Sequence, residues 1–282
     1  MNSAQYFRTY LYVPASKPEV VTKAFNSNAD CVVLDLEDAV HHDQKDQARE
    51  FISNLLDSTA PKPFLVRINN PASEWGDADL AALAKPNLLG VRIPKVTSVE
   101  TVQYVASKLK PANPAVQLHL LIESASGVAK AVELATADPN VASMSLGEAD
   151  LESDLRSGDD AVLQYCRNAI VVASRAAGLK QPSQSVFPNT KDSDGLREST
   201  LRAKSAGFFG RSVIHPSQID IVNEIFTPTE KEVASAKELL GWYDQMQASG
   251  NSVMALPNGD LLDPANIHYA KFIVALSESH NN

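Results

Sequence analysis

Short apolar runs rich in β-branched residues alternate with longer amphipathic stretches along most of this chain. Six runs are clear: Thr9 to Val13, Cys31 to Leu36, Phe64 to Ile68, Gly90 to Pro94, Leu118 to Ile122 and Ala142 to Leu146. Ser185-Val186-Phe187 and Ser212-Val213-Ile214 are shorter and weaker. Each interval leaves room for one strand, one helix and two short loops. The intervals read as helices: Lys17 to Asn26 follows Ser16 as N-cap, and Ser98-Val99-Glu100 opens a stretch with Val102, Val105 and Leu109 on one face. Strictly alternating strands and helices predict a parallel sheet.

Eight such units predict a closed (β/α)8 TIM barrel, a fold that typically needs about 250 residues. The competing doubly wound sheet normally carries a glycine-rich loop after its first strand. Here that turn is Pro14-Ala15-Ser16-Lys17-Pro18, without glycine. The barrel is expected over residues 1–226. Beyond it, a C-terminal extension at 227–282 departs from the pattern. Thr227-Pro228-Thr229-Glu230 starts a helix running to about Gln247. A short hairpin turning at Asn258-Gly259 follows, then Asp263-Pro264 caps a last helix through Leu276. The extension is expected to pack on the barrel or on a neighbouring subunit.

Composition narrows the function classes. With 44% hydrophobic and 21% charged residues, the chain has the make-up of a globular protein rather than a disordered one. A formal net charge of −9 argues against nucleic acid as a partner. Cys31 and Cys166 make no disulfide framework and read as small buried hydrophobes in a reducing compartment. No apolar run is long enough to span a bilayer, and Met1-Asn2-Ser3-Ala4-Gln5 lacks a signal-peptide pattern, so a cytoplasmic protein without a membrane partner is expected.

Charge then gathers where a barrel keeps its chemistry. Residues at the carboxyl ends of barrel strands converge on one mouth. The runs end with Glu37-Asp38, Arg67, Lys95, Glu123, Glu148 with Asp150, and His215. Strand parity puts Leu121 with Glu123, and Leu146 with Glu148 and Asp150. Glu123 and Asp150, on adjacent strands with no Cys or clustered His nearby, suit a hard cation such as Mg²⁺. The other reading is a salt-bridge cluster of these acids with Arg67 and Lys95. His215 is either a base or a buried, hydrogen-bonded structural histidine. His41 and His42 beside Asp43 read as a solvated loop, and His119 as core.

The motifs at these positions carry a resemblance. Arg8-Thr9-Tyr10-Leu11-Tyr12-Val13-Pro14, Leu34-Asp35-Leu36-Glu37-Asp38, Val66-Arg67-Ile68-Asn69, Ile93-Pro94-Lys95-Val96, Leu121-Ile122-Glu123-Ser124, Gly147-Glu148-Ala149-Asp150-Leu151 and Ile214-His215-Pro216-Ser217-Gln218 occur in that order. Together they resemble the citrate lyase β-subunit-like family, which includes malyl-CoA and citramalyl-CoA lyases, over nearly the whole chain.

The resemblance implies a Mg²⁺ (or Mn²⁺) held by Glu123 and Asp150, with Glu37 and Asp38 holding the metal's waters and Arg67 on the substrate carbonyl. Asp263 matches an acid that CoA lyases of this family supply from an adjacent subunit, and it also reads as an N-cap before Pro264. Two positions depart from the pattern: Ala15 stands where the family usually has glycine, and Asn189 where an acid is common. The implied reaction is Mg²⁺-dependent carbon–carbon cleavage of citramalyl-CoA or malyl-CoA to acetyl-CoA with pyruvate or glyoxylate. Lys17 and Arg8 are candidate contacts for the CoA phosphates, or ordinary surface charge. The alternatives are a citrate lyase β subunit acting on a citryl-acyl carrier protein and a non-catalytic barrel scaffold. Homo-oligomers, commonly trimers, are what the family leads one to expect.

Overall fold

The apolar runs become parallel strands in the computed structural model of the chain, which describes residues 6–257, 259–264 and 267–279. They are β1 (Thr9–Pro14), β2 (Cys31–Asp35), β3 (Phe64–Arg67), β4 (Gly90–Ile93), β5 (Gln117–Ile122), β6 (Val141–Leu146) and β7 (Arg211–Val213). One sheet joins them in the order β6-β5-β4-β3-β2-β1-β7, every pair parallel. Isolated bridges link Ser145 to Ser183 and Gln184 to Arg211. The sheet therefore closes on itself as a barrel, with the position between β6 and β7 reduced to the bridge residues Ser183 and Gln184.

That bridge corrects the reading of the weakest runs. Pairing occurs at Ser183 and Gln184 rather than at Ser185–Phe187, and β7 stops before Ile214. Strand composition was too thin in both places to set the boundary.

Burial explains why the other runs are continuous rather than alternating. Every residue of β2 is buried, as are Leu65, Val91 and Leu120, because helices cover the outside of the sheet and side chains fill its inside. Each fully buried leucine contributes about 2 kcal/mol. Cys31 and Cys166 are buried and free. His119, 5% exposed, places Nδ1 2.7 Å from Ser143 Oγ and Nε2 3.2 Å from Gln117 Oε1. Burial, then the charges of Arg92 and Lys180, push its pKa well below the usual histidine value.

Local signals set the helix starts. Ser98 caps the helix Val99–Leu109, its hydroxyl accepting from the Thr101 N–H. At Pro18–Phe25 the N-cap is Lys17, with no side-chain cap bond, so Ser16 does not cap it; Pro18 in the first turn supplies the start signal.

By contacts the chain divides into one unit of residues 7–224, which holds the barrel, and another of residues 1–6 with 225–282. In the second unit, Thr229 and Glu232 form the capping box that opens the helix Glu230–Ala248. β8 (Met254–Ala255) and β9 (Leu261–Leu262) pair antiparallel as a hairpin. The last helix, Ile267–Ser279, packs Ala270 and Ile273 against Ala236 of the long helix. The expected hairpin residue Asn258 and the N-terminal residues 1–5 lie outside the described residues, as do residues 265 and 266, where a cap for the last helix would act. Among the described residues no helix is long and apolar enough to cross a membrane.

Candidate active site

The carboxyl ends of the barrel strands surround a cavity of about 500 Å³. Asp35, Asp38, Arg67, Glu123 and Asp150 line it together with Tyr12, Leu121, Leu146 and Ile214.

Asp35, the last residue of β2, organises the first part of the wall. Its Oδ1 accepts the Glu37 N–H at 2.9 Å and its Oδ2 the Ala39 N–H at 3.1 Å, which bends the chain into a turn. The same two oxygens receive Arg67 Nε at 2.7 Å and Nη2 at 2.6 Å. Arg67 Nη1 reaches Asp38 Oδ2 and Glu37 Oε2, each at 3.0 Å. Lys45 supports this turn from below: its buried Nζ donates to the carbonyls of Leu36 and Glu37 and to Asn69 Oδ1.

Lys95 builds the second part. It follows β4 in a left-handed conformation, φ 54°, which is uncommon for a residue with a Cβ. That backbone turns its N–H onto Glu123 Oε2 at 2.8 Å while Nζ donates to Glu37 Oε1 at 3.0 Å. One strained residue thus fixes two acids from different strands, a strain of about 1–3 kcal/mol. Gly147 makes room for Glu123, since a Cβ there would come within 2.5 Å of Glu123 Cγ.

The electrostatics of these acids are unfavourable as they stand. Burial and then the nearby charge of Glu37 push the Glu123 pKa up to about 7. Burial also raises that of Glu37, against the pull of Arg67. Glu37 Oε2 is buried and, despite its proximity to Arg67, has no aligned hydrogen bond. Asp150, in the first turn of the helix Glu148–Leu155, is exposed and makes no side-chain hydrogen bond or ion pair among the described residues. Arg67 and Lys95 are already paired with Asp35, Glu37 and Asp38, so among the described residues Glu123 and Asp150 have no cationic group within ion-pair distance. A divalent cation would relieve this crowding. The donors are all oxygens, and among the described residues only His41, His42 and Asp43, on an exposed loop, form a trio of ligand groups within 4.8 Å of one another. Two carboxylates without a third close ligand fit a hydrated Mg²⁺ better than a caged ion.

The family model for HpcH/HpaI aldolase/citrate lyase matches residues 8–216, which is most of the chain. The chain belongs to this family. It is 34% identical to a (3S)-malyl-CoA thioesterase of Cereibacter sphaeroides, over 99% of this chain and 97% of that one. It is 31% identical to the citrate lyase subunit beta of Leuconostoc mesenteroides subsp. cremoris, over 100% of this chain and 96% of that one. Among solved structures, CitE from Mycobacterium tuberculosis in complex with magnesium, acetoacetate and coenzyme A superposes with a TM-score of 0.79 at 29% identity, covering 98% of this chain and 99% of that one.

In this member of the HpcH/HpaI family the fold brings together Glu37, Asp38, Arg67, Lys95, Glu123 and Asp150. Parity does not explain Asp150, because the strand stops at Leu146 and the helix that follows carries Glu148 and Asp150. Glu148 is taken by Arg167, at 2.9 and 2.7 Å.

Four other candidates are not part of this cluster. Arg8 precedes β1 and is bound bidentately to Asp30, at the opposite end of the strands from the cavity, so its candidacy as a phosphate contact does not hold. Six strand residues separate it from the correct end, about 20 Å of chain. Lys17 is on the cavity side, exposed at the N-cap of Pro18–Phe25, with its N–H on the Pro14 carbonyl. Asp263 follows β9, half-buried, in the unit formed by residues 1–6 and 225–282. His215 is exposed rather than buried; its Nδ1 accepts the Ser217 N–H and caps a short turn of helix. Ala15 sits in backbone that needs no glycine and is fully buried.

Asp35, Gly147 and Arg92 escaped the sequence reading. Their partners lie far along the chain, although the acid closing an otherwise apolar run at Cys31–Asp35 was a usable signal for Asp35.

Proposed function

We propose that this protein is a Mg²⁺-dependent carbon–carbon lyase. Its substrate would be a 3-hydroxyacyl-CoA bearing a carboxylate, citramalyl-CoA or malyl-CoA, and its products acetyl-CoA with pyruvate or glyoxylate. The observation that carries this reading is the pair Glu123 and Asp150, which line the cavity with no cationic group within ion-pair distance among the described residues, the nearby Arg67 and Lys95 being bound to other acids. Names among its relatives support the substrate class: a malyl-CoA thioesterase, citrate lyase β subunits, and a CitE bound to magnesium, acetoacetate and coenzyme A.

Glu123 and Asp150 would hold the Mg²⁺, for which Mn²⁺ could substitute, and Glu37 and Asp38 would hold its waters. Bound there, the ion would lower the pKa of the substrate hydroxyl and orient the adjoining carboxylate. Cleavage needs that hydroxyl to lose its proton, the carbon–carbon bond to break, and the enolate of acetyl-CoA to gain a proton on carbon. Arg67, locked in place by Asp35, faces the negative charge that grows on the thioester oxygen; one such contact is typically worth about 3 kcal/mol. Asp263 of a neighbouring copy, in a homotrimer, would give the enolate carbon its proton. Lys17 would meet the phosphates of CoA.

Two other activities have specific support. Thioester hydrolysis is favoured by the relative at 34% identity named as a thioesterase. Action on a citryl group carried by a protein is favoured by the relatives named citrate lyase subunit beta.

Product analysis separates all three. With Mg²⁺ and purified protein, each thioester should give acetyl-CoA and the oxo acid in equal amounts. Free CoA with intact malate or citramalate would replace the lyase by a hydrolase. No turnover of either thioester, with turnover of a citryl-acyl carrier protein, would favour the β-subunit reading.

A further inference from the structure

Arg92, in β4, is 1% exposed, yet no carboxylate lies within ion-pair distance of it among the described residues. Its guanidinium donates instead to three neutral hydroxyls: Nη1 to Tyr12 Oη at 2.9 Å and Ser212 Oγ at 3.0 Å, and Nη2 to Ser183 Oγ at 3.3 Å. Nε has no partner, and the guanidinium stacks over the Tyr10 ring at 4.3 Å. A buried charge without a counter-ion is costly, and two acids of the cavity wall are held by other arginines: Asp35 by Arg67, and Glu148 by Arg167.

Tyr12 and Ser212 both line the cavity. Each accepts a hydrogen bond from Arg92, which leaves its own proton to donate, and neither has a protein acceptor among the described residues. Ser185 lines the same cavity, is 4% exposed, and has no hydrogen-bond partner for its hydroxyl. Three hydroxyls without acceptors therefore share one cavity, two of them polarised by an uncompensated guanidinium.

We infer that this wall is a receiving site for a carboxylate of the ligand, with Tyr12, Ser185 and Ser212 as its donors and Arg92 as the positioning residue that supplies the missing charge. The anion completes the charge balance that the fold leaves open. The inference rests on and extends the proposed function: the carboxylate that the ion would orient is the group the wall receives, and the wall should bind it weakly even without the metal.

Calorimetric titration with pyruvate, once in EDTA and once with Mg²⁺, tests it. The wild type should bind pyruvate weakly in EDTA and more tightly with Mg²⁺. Tyr12→Phe and Ser212→Ala should each lower pyruvate affinity about ten-fold in both conditions, without changing Mg²⁺ affinity measured alone. Ser185→Ala removes no protein hydrogen bond, so it should lose pyruvate affinity with no fall in thermal midpoint, a pattern that a purely structural hydroxyl does not give. Arg92→Lys should retain more affinity than Arg92→Gln. If the variants bind pyruvate as tightly as the wild type, the wall is not the receiving site, while the lyase reading stands. If pyruvate binds in EDTA, is lost in the variants and gains nothing from Mg²⁺, the wall is supported and the metal-dependent reading fails. No pyruvate binding under either condition overturns both.

Discussion

Asp35 holds Arg67 through both carboxylate oxygens, at 2.7 Å to Nε and 2.6 Å to Nη2, with only 1% of the acid's surface exposed. The same oxygens accept the backbone N–H groups of Glu37 and Ala39, so one buried acid aims the arginine and shapes the loop bearing Glu37 and Asp38. Asp35→Asn keeps the shape but presents an amide donor to a guanidinium. Breaking a buried pair of this kind costs about 3–5 kcal/mol, and the variant should lose roughly 100-fold in kcat/KM on the preferred thioester. Denaturant melts and steady-state kinetics would measure both; an unchanged kcat/KM would mean that Arg67 does not depend on Asp35 for its aim.

Gly147 is glycine for want of space rather than for a left-handed backbone, since its φ is −100°. A methyl group there would push into the side chain of Glu123. Gly147→Ala should weaken Mg²⁺ binding about 10- to 100-fold, the range seen when the support of a metal ligand is disturbed. Metal titration of the folded variant decides it.

His119 makes stability depend on pH. In the unfolded chain it takes up a proton below about pH 6.5, whereas burial keeps it neutral to well lower pH in the fold. Its contribution is therefore present above pH 6.5 and is lost as pH falls below that value. Glu123, raised to about 7, acts in the opposite sense: its contribution is present below the ordinary carboxylate range and is lost as pH rises towards 7. A difference between proteins isolates the histidine. The wild type should lose more stability than His119→Gln between pH 7.5 and 5.5 in urea melts, and equal losses would contradict the assignment.

Asp79, with no exposed surface, accepts from Asn69 through backbone and side chain at 2.8 Å and from Arg49 Nε at 3.0 Å. Asn69 in turn accepts from Lys45, which props up the Leu36–Glu37 carbonyls. Asp79→Ala takes the buried acceptor from Arg49 Nε and from Asn69, leaving Arg49 only its pair with exposed Asp46, and should destabilise the protein by about 3–5 kcal/mol, visible as a lowered thermal midpoint. Retention of the wild-type midpoint would show that this network is slack.

Much of this architecture is legible in the chain because a barrel strand buried on both faces must be a continuous apolar run, as in β2 and β5. The seventh position fails that test: Ser183 and Gln184 pair through the backbone alone, with no apolar run to mark them. Glu123 stands out because an acid closing an apolar run is costly without a reason to be there, whereas Asp150 is legible only as one of the acids that open the helix after β6. Arg92 does not stand out, since it hides inside a run, and the roles of Asp35 and Arg92 alike come from Arg67, Tyr12 and Ser212, which only folding brings near. Arg8 was misplaced because nearness to a loop in sequence says nothing about which end of an intervening strand a residue occupies.

A divalent ion held by Glu123 and Asp150 is what the proposed chemistry requires. Anomalous diffraction from crystals grown with Mn²⁺ would locate that ion. A peak between those two carboxylates, lost in Glu123→Gln and Asp150→Asn, is expected. A peak only at His41, His42 and Asp43, or none in the cavity, would contradict it.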